Sequence, residues 1–184
     1  MTDLGIYYTK EIVPKMMKQF GYANSLAVPR ITKVTLNVGV GRALKDAQFL
    51  QTVEDNLTRI TGQRPVKTKA KQSIATFKIR EGMVVGMKVT LRKKYMYDFL
   101  AKLLTFAFPR TRDFHGIDET VVDKQGNCNV GFKENIAFPE MKSDELERIH
   151  GLEISITTNA HSRQEGLALF TYIGFPFKKE GHKK

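Results

Sequence analysis

Polar and basic side chains recur at every second position along five separate segments of the sequence. Ammonium and guanidinium groups neutralise phosphates, while hydroxyl and amide groups form hydrogen bonds with phosphate oxygens and ribose 2′-hydroxyls. Glycines among them let a ligand backbone approach closely. The pattern therefore predicts a surface that binds structured RNA. Its residues are Lys33, Thr35, Asn37 and Gly39; Lys67, Lys69 and Lys71; Lys88, Thr90 and Arg92; Asn129, Gly131 and Lys133; and Ser155, Thr157 and Asn159.

The same alternation is also typical of an ordinary solvated face, because an antiparallel sheet often has one side in water. A merely soluble face would mix acids with bases, whereas the second and third segments contain no acid. Large aromatic residues are missing from the predicted surface, so it differs from sheets that stack unpaired bases. We therefore favour recognition of RNA shape and backbone.

The positive charge is concentrated in one window of the chain. The formal net charge is +11, and residues 64–94 contain ten basic residues against one acid, Glu81. This window therefore carries +9 of the total. Localised charge is what a nucleic-acid-binding surface requires, and it says nothing about the fold.

Acidic residues form two further stretches. Most such runs are solvated, but acids that face away from RNA would suit a basic protein partner. The first stretch contains Asp113, Asp118, Glu119 and Asp123, and the second contains Glu140, Asp144, Glu145, Glu147 and Glu153.

No arrangement of residues predicts a catalytic, metal or cofactor site. The Gly39-Val40-Gly41 turn has the place of a dinucleotide-binding turn, but Leu44 stands where the third glycine belongs. A nucleotide-dependent enzyme is therefore the weaker alternative. Cys128 is predicted in the core. The histidines lack metal-ligand spacing and are expected at the surface or in loops; they are His115, His150, His161 and His182.

The cellular setting is expected to be the cytoplasm. A single cysteine excludes an internal disulfide and fits a reducing compartment. No apolar run reaches the roughly 18 residues that span a bilayer, and residues 1–8 lack the order of a signal peptide. A peripheral membrane protein remains an alternative, but it would need a basic amphipathic helix, and these cations lie mainly on predicted strands.

Apolar spacing predicts four helices that position this surface. The first covers residues 6–20, with Pro14 as a bend or a second start and Gly21 as the stop. The second covers residues 46–61. The third covers residues 95–108, ends at Pro109 and is apolar almost all round, which indicates burial. The fourth begins with the capping-box pair Ser162 and Glu165 and ends near Gly174.

Alternating apolar residues predict five strands. The second covers residues 66–71 and the third residues 84–92; the others centre on residues 34–40, 128–132 and 152–156. The element order predicts the α+β class. We expect a single, mainly antiparallel five-stranded sheet, with helices packed on one face and an open basic and polar RNA-binding face.

Several long segments resemble the bacterial branch of the large-subunit ribosomal protein five family, whose members bind 5S rRNA. They are PRITKVTLNVGVG (29–41), GQRPVKTKAKQSIATFKIREGMVVGMKVTLR (62–92), FPRTRDFHG (108–116), ITTNA (156–160) and GFPF (174–177). They stand in the family's order and extend over most of the chain. The resemblance implies a single 5S-rRNA-binding domain over residues 1–184, with a basic tail at 178–184.

This resemblance implies a noncatalytic protein that anchors 5S rRNA in the central protuberance of the large subunit. It also implies contacts with 23S rRNA and other central-protuberance proteins. The residues matched to 5S rRNA binding are Lys33, Asn37, Gln63, Arg64, Lys67, Lys69, Thr90 and Arg92.

The family also contacts peptidyl-site tRNA through an extended loop and forms an inter-subunit bridge to a small-subunit head protein. The matching loop is residues 71–82, with Ser73, Thr76, Lys78 and Arg80, and we expect it to be mobile without RNA. The irregular regions 110–127 and 134–150 match the protein-contact region. The bridge residues implied are Arg110, Arg112, Asp113, His115 and Asp144.

Overall fold

The computed structural model describes residues 4–41, 46–112, 114–141 and 149–178. In these residues five strands form one antiparallel sheet, and four helices contribute to a single apolar core. The predicted α+β class with one five-stranded antiparallel sheet is confirmed.

The five strands are Ile31–Gly39 (β1), Val66–Lys69 (β2), Val84–Leu91 (β3), Cys128–Phe132 (β4) and Leu152–Thr158 (β5). They form a sheet of order β2-β3-β1-β5-β4, and every neighbouring pair is antiparallel. The central strand β1 therefore has a partner on both sides. Two strands are shorter than predicted: β2 ends at Lys69 and not at Lys71, and β3 ends at Leu91 and not at Arg92.

The four predicted helices are present, and two of them contain a π-helical turn. Helix α1 consists of Leu4–Tyr7, the π turn Tyr8–Ile12 and Val13–Phe20. Helix α2 is Ala47–Thr61. Helix α3 consists of Lys93–Lys102, the π turn Leu103–Ala107 and Phe108–Arg110, and helix α4 is Arg163–Ile173.

Local capping fixes the ends of α2 and α4. The Asp46 side chain accepts a hydrogen bond from the Phe49 N–H at 2.9 Å, and Gly62 ends α2 with a φ of 70°. Ser162 Oγ accepts from the Glu165 N–H at 3.3 Å, which confirms the predicted capping pair. Each cap satisfies a backbone group that the helix leaves unpaired and stabilises it by about 1 kcal/mol.

Each of these two π turns is closed by the N–H of the residue that directly precedes a proline, Pro14 or Pro109. The Val13 N–H donates to the Tyr8 carbonyl in α1, and the Phe108 N–H donates to the Leu103 carbonyl in α3. Proline has no N–H, and its ring clashes with the carbonyl four residues earlier. The wider turn accommodates this ring, so the prediction that Pro109 ends the third helix is wrong.

The apolar core lies between one side of the sheet and the helices. Cys128 is fully buried there, as predicted, and burial raises the pKa of its thiol to about 12. None of the helices in the described ranges is long and apolar enough to cross a membrane. Fully or almost fully buried residues include Val34, Leu36 and Val38 of β1, Met87, Val89 and Leu91 of β3, Ile154 and Ile156 of β5, and Leu57, Leu100 and Phe170 of the helices.

Candidate nucleic-acid interface

The side of the sheet that faces away from the core carries mainly small polar and charged side chains, together with the 61%-exposed Val66, whose register partner is Lys88. Cross-strand register aligns them in rows: Thr35 lies between Thr90 and Ser155 on its neighbouring strands. We call this surface the polar face. Its residues are Lys33, Thr35, Asn37, Thr68, Lys88, Thr90, Asn129, Glu153, Ser155 and Thr157, and all of them are exposed or half-buried.

The charged and amide side chains of the polar face have no protein partner in the described part of the chain. This holds for Lys33, Asn37 and Lys88, and also for Asn129 and Glu153. Such groups bind a ligand without first breaking an internal hydrogen bond or ion pair. The rigid strands therefore present an array of available donors and cations at a spacing of roughly 4.8 Å between strands.

Two predicted binding residues extend this array where β3 ends. Gln63 follows the Gly62 cap of α2, and its Nε2 donates to the Thr90 carbonyl at 3.4 Å. Arg92 is exposed and directly follows β3. The structure thus brings Gln63, Thr90 and Arg92 to one corner of the sheet.

A buried carboxylate organises a second group of cations at the β2 edge. Glu54 of α2 is only 6% exposed at its side chain, and it lies 2.8 Å from both Arg64 Nε and Lys67 Nζ. Hydrogen bonds from Lys67 and Arg64 lower the pKa of Glu54. We call Glu54, Arg64 and Lys67 the Glu54 cluster.

The structure corrects the predicted placement of Lys67. The sequence pattern placed it on the open face with Lys69 and Lys71, but its register partner Met87 is fully buried on the core side. Lys67 therefore points to the helix side. There its ammonium group pairs with the Glu54 carboxylate, which needs nearby cations because it is buried. The register shifts between Thr68 and Lys69, and Lys71 lies beyond the strand.

The loop predicted to contact tRNA is an exposed hairpin. Its base is closed by the Ala70 N–H, which donates to the Met83 carbonyl at 2.8 Å, and Ile74 and Ile79 exchange two backbone bonds of 2.9 and 3.1 Å. Ser73 Oγ accepts from the Glu81 N–H at 2.9 Å. Its mobility without RNA stays a prediction.

The tip of this loop carries apolar as well as basic side chains. Phe77 is 67% exposed and Ile74 is 44% exposed. Thr76, Lys78 and Arg80 are exposed beside them. Neither apolar residue was among the predicted contacts of the loop, although large apolar side chains isolated within a basic, polar segment were a sequence signal for them.

The predicted bridge residues are only partly described. Arg110, Arg112 and His115 are all exposed. Asp113 and Asp144 lie outside the described residues. The structure therefore places three of the five implied residues in one exposed stretch that begins with the last residue of α3.

Several acids of the two acidic stretches already have internal partners. Asp118 is 3.0 Å from Lys178 Nζ, and Glu140 pairs with Lys102. Asp123 accepts hydrogen bonds from Gln125 and Asn127, which lower the pKa of its carboxyl against the opposing effect of burial. These acids are therefore less available to a basic protein than the sequence suggested.

Glu153 belongs to the polar face, although it was predicted as part of the second acidic stretch. Its register partners are Asn37 and Gly131. The signal was present, because the alternation of Leu152, Ile154 and Ile156 places Glu153 on the opposite side of β5.

His150 lies in a loop, as predicted, but its side chain is buried. Only 6% of the residue is exposed, and its ring meets Phe49 edge-on at 6.5 Å between centroids. Burial lowers the pKa of the imidazole. Within the described ranges, no three histidine, cysteine or acidic side chains are grouped as metal ligands would be.

Comparison with protein families gives two matches in chain order. Residues 24–80 match the model described as ribosomal protein L5, and residues 84–177 match the model described as the C-terminus of the same ribosomal family. The two matches include β1 to β5 and therefore the whole polar face.

Relatives of similar length align over almost the entire chain. A protein of Acidovorax sp. (strain JS42) is 49% identical over 178 residues, covering 97% of this chain and 99% of the relative. Proteins of Desulfotalea psychrophila and Desulfatibacillum aliphaticivorans are 47% and 46% identical, covering 97% of this chain and all of each relative. All three are named large ribosomal subunit protein uL5.

Proposed function

The chain belongs to the ribosomal protein L5 family of the large ribosomal subunit, and from this premise we propose that it binds 5S rRNA and anchors it in the central protuberance. The observation that carries the proposal is the polar face, whose cations, hydroxyls and amides have no side-chain partner among the residues that the structure describes. Membership of the family also agrees with the expectation of a noncatalytic, cytoplasmic protein.

The chemistry of the polar face suits a folded RNA backbone. Lys33 and Lys88 supply charge that displaces condensed counterions from phosphates. Between them, Thr35 and Thr90 offer hydroxyls to ribose and phosphate oxygens, and Asn37 offers an amide. The face has no aromatic ring for stacking, so shape and backbone contacts are the interactions that it favours.

The remaining implied residues extend the proposed 5S rRNA surface past the strands. Gln63 and Arg92 border the Thr90 corner, and Arg64, Lys67 and Lys69 follow the β2 edge. Arg64 uses its Nε for Glu54 while its side chain is 81% exposed. The terminal nitrogens of its guanidinium therefore remain available for a phosphate.

Titration of fluorescently labelled 5S rRNA with the full chain tests this function. We expect a dissociation constant in the nanomolar range at low salt. If about six phosphates are engaged, the logarithm of the association constant should fall with a slope of about −4 to −5 against the logarithm of salt concentration. A structured RNA of equal length and unrelated sequence is the control; equal affinity for both RNAs would contradict the proposal.

We further propose that the 71–82 loop contacts peptidyl-site tRNA. Its basic residues Lys78 and Arg80 suit phosphates, and the exposed Phe77 suits an exposed base or ribose face. In ribosomes carrying Lys78→Ala with Arg80→Ala, we expect weaker tRNA binding at the peptidyl site. The control pair Lys10→Ala with Lys18→Ala, on α1, should leave tRNA binding unchanged. An equal loss of tRNA binding in the two double variants would contradict a contact made by the loop.

The third part of the proposal is a bridge to a small-subunit head protein through the last residue of α3 and the segment that follows it. Arg110, Arg112 and His115 are exposed there, and the implied Asp113 and Asp144 complete the set. The proposed position in the central protuberance also implies contacts with 23S rRNA and with other proteins of the central protuberance. Light scattering of large subunits with Arg110→Ala and Arg112→Ala should show weaker association with small subunits; unchanged association would remove these arginines from the bridge.

A further inference from the structure

Glu153 is the single acid among the described residues of the polar face. It is the second residue of β5, it is exposed, and its register partners are Asn37 on β1 and Gly131 on β4. On the other side of Asn37 stands Lys88, roughly two strand spacings away. Within the described ranges the Glu153 carboxylate has no hydrogen bond or ion pair.

A carboxylate is the wrong group for a phosphate, because like charges repel. It only accepts hydrogen bonds, through two oxygens. The parts of RNA that donate are base edges and 2′-hydroxyls. Among the bases, guanine presents two adjacent donors, N1–H and N2–H, whose spacing matches the two oxygens of a carboxylate.

The structure provides space for a base beside this carboxylate. An open cavity of about 830 Å³ lies where β1 and β4 end and β5 begins, and Glu153, Asn37 and Asn129 line it. Gly39 and Gly131 also line it, and a Cβ at either position would meet nothing within 4 Å. An unstacked base therefore reaches the strands without a steric obstacle.

The wall of the cavity combines apolar and polar groups. Phe49 and the 44%-exposed Ile149 contribute apolar surface against which a base packs. The buried His150 also lines the cavity, and its Nε2 has no hydrogen-bond partner within the described ranges. Base-binding pockets in RNA-binding proteins combine such an apolar wall with a few polar groups that read a base edge.

We infer that Glu153 accepts hydrogen bonds from the Watson–Crick edge of an unpaired guanine of the bound RNA, in the cavity next to Asn37 and Asn129. This inference rests on the proposed 5S rRNA binding and adds a base-specific contact to a surface that otherwise binds backbone. The competing explanation is a solvated carboxylate that only weakens phosphate attraction.

The two explanations predict opposite effects of Glu153→Gln on binding. If the acid only repels phosphates, its neutralisation strengthens binding to 5S rRNA. If it holds a guanine, the amide offers one acceptor and one donor where two acceptors are needed, and affinity falls about tenfold or more. Lys88→Gln is the matched control, because it neutralises the opposite charge on the other side of Asn37.

The experiment combines affinity with kethoxal modification of guanine N1 and N2 on full-length 5S rRNA. At saturating wild-type protein, one unpaired guanine should become protected, and Glu153→Gln should leave that guanine reactive while the complex persists. Lys88→Gln should weaken binding and flatten its salt dependence, yet retain the protection once saturated. Replacing that guanosine by inosine, which lacks the N2 donor, should weaken wild-type binding and remove the difference between wild type and Glu153→Gln.

Glu153→Gln binding as tightly as wild type with the same protected guanines would overturn the inference. Wild-type binding with no protected guanine would also overturn it, while leaving the proposed function intact. Absence of specific wild-type binding to 5S rRNA would overturn both. The inosine substitution keeps the test valid if the variant protein folds poorly, because it changes only the RNA.

Discussion

Two groups of cations flank the same sheet and differ in what already holds them. On the polar face, Lys33 and Lys88 have no ion-pair partner in the described part of the chain. At the β2 edge, Arg64 and Lys67 both lie 2.8 Å from the nearly buried Glu54. The free lysines add charge to a bound RNA, whereas the paired ones contribute less net charge.

The two groups should therefore contribute differently to RNA binding: the free lysines through charge, and the Glu54 cluster through the fixed position of its side chains. Each free lysine that meets a phosphate releases condensed counterions and therefore contributes to the salt dependence of binding. Arg64 and Lys67 together offset one carboxylate, so the cluster of three carries a net charge close to that of one lysine. What the cluster gains is a fixed geometry for the exposed part of Arg64.

The largest effect should follow removal of the free charges. With Lys33→Ala and Lys88→Ala together, the affinity for 5S rRNA at about 0.1 M salt should fall roughly 10- to 50-fold, and the salt slope should flatten by about 1.5 to 2 units. Fluorescence anisotropy of labelled 5S rRNA measures both. The control is the double variant Lys10→Ala and Lys18→Ala, which has the same net charge as the test variant. An equal loss of affinity in the control would mean that only the total charge of the protein matters.

A neutral residue between the cations should affect affinity without affecting the salt slope. Asn37→Ala removes hydrogen bonds but no charge, so we expect roughly a fivefold loss, as for one or two net hydrogen bonds. The same anisotropy titration at several salt concentrations checks it. A changed slope with Asn37→Ala would mean that the variant had shifted the neighbouring strands.

The paired lysine should matter less than a free one. Lys67→Ala should weaken binding by roughly twofold and change the slope by less than about 0.5, whereas Lys88→Ala should change it by about 0.8. The reason is that Lys67 already neutralises Glu54. Equal slopes for the two variants would show that the Glu54 pair opens when RNA binds.

The smallest expected effect is on stability and depends on pH. Glu54→Gln should lower the free energy of unfolding by about 1 kcal/mol at neutral pH, because its partners are exposed and are rehydrated. The folded-state pKa of Glu54 is lowered, so its contribution is fully present above the ordinary glutamate value of 4.5 and is lost as the pH falls through the folded value. Urea unfolding of wild type and variant between neutral and acidic pH should show the difference shrinking on acidification; a constant difference would contradict the ion-pair account.

The sequence predicted the sheet well because β1, β3 and β5 alternate strictly between apolar and polar residues. It misplaced Lys67 because β2 is a short edge strand without a clear apolar side, so alternation alone does not say which side faces the core. The deciding contact of Lys67 is with Glu54, 13 residues earlier on α2. That pairing is a tertiary contact that no local pattern encodes.

The residues of the candidate site also divide into those that local alternation predicts and those that it does not. Lys33, Asn37 and Thr90 were placed correctly on one face by periodicity. Glu153 was assigned to an acidic stretch because charge was counted along the chain and not across the sheet. The continuation of α3 through Pro109 was also missed, since it depends on a π turn that has no recognisable sequence signal.

Lysine footprinting by mass spectrometry tests most directly whether the polar face is where RNA docks. Wild-type protein is treated with an amine-reactive acylating reagent with and without 5S rRNA. We predict that Lys33 and Lys88 lose most of their reactivity in the complex while Lys10 and Lys18 on α1 keep theirs. Protection of Lys10 and Lys18 with Lys33 and Lys88 still reactive would contradict the account.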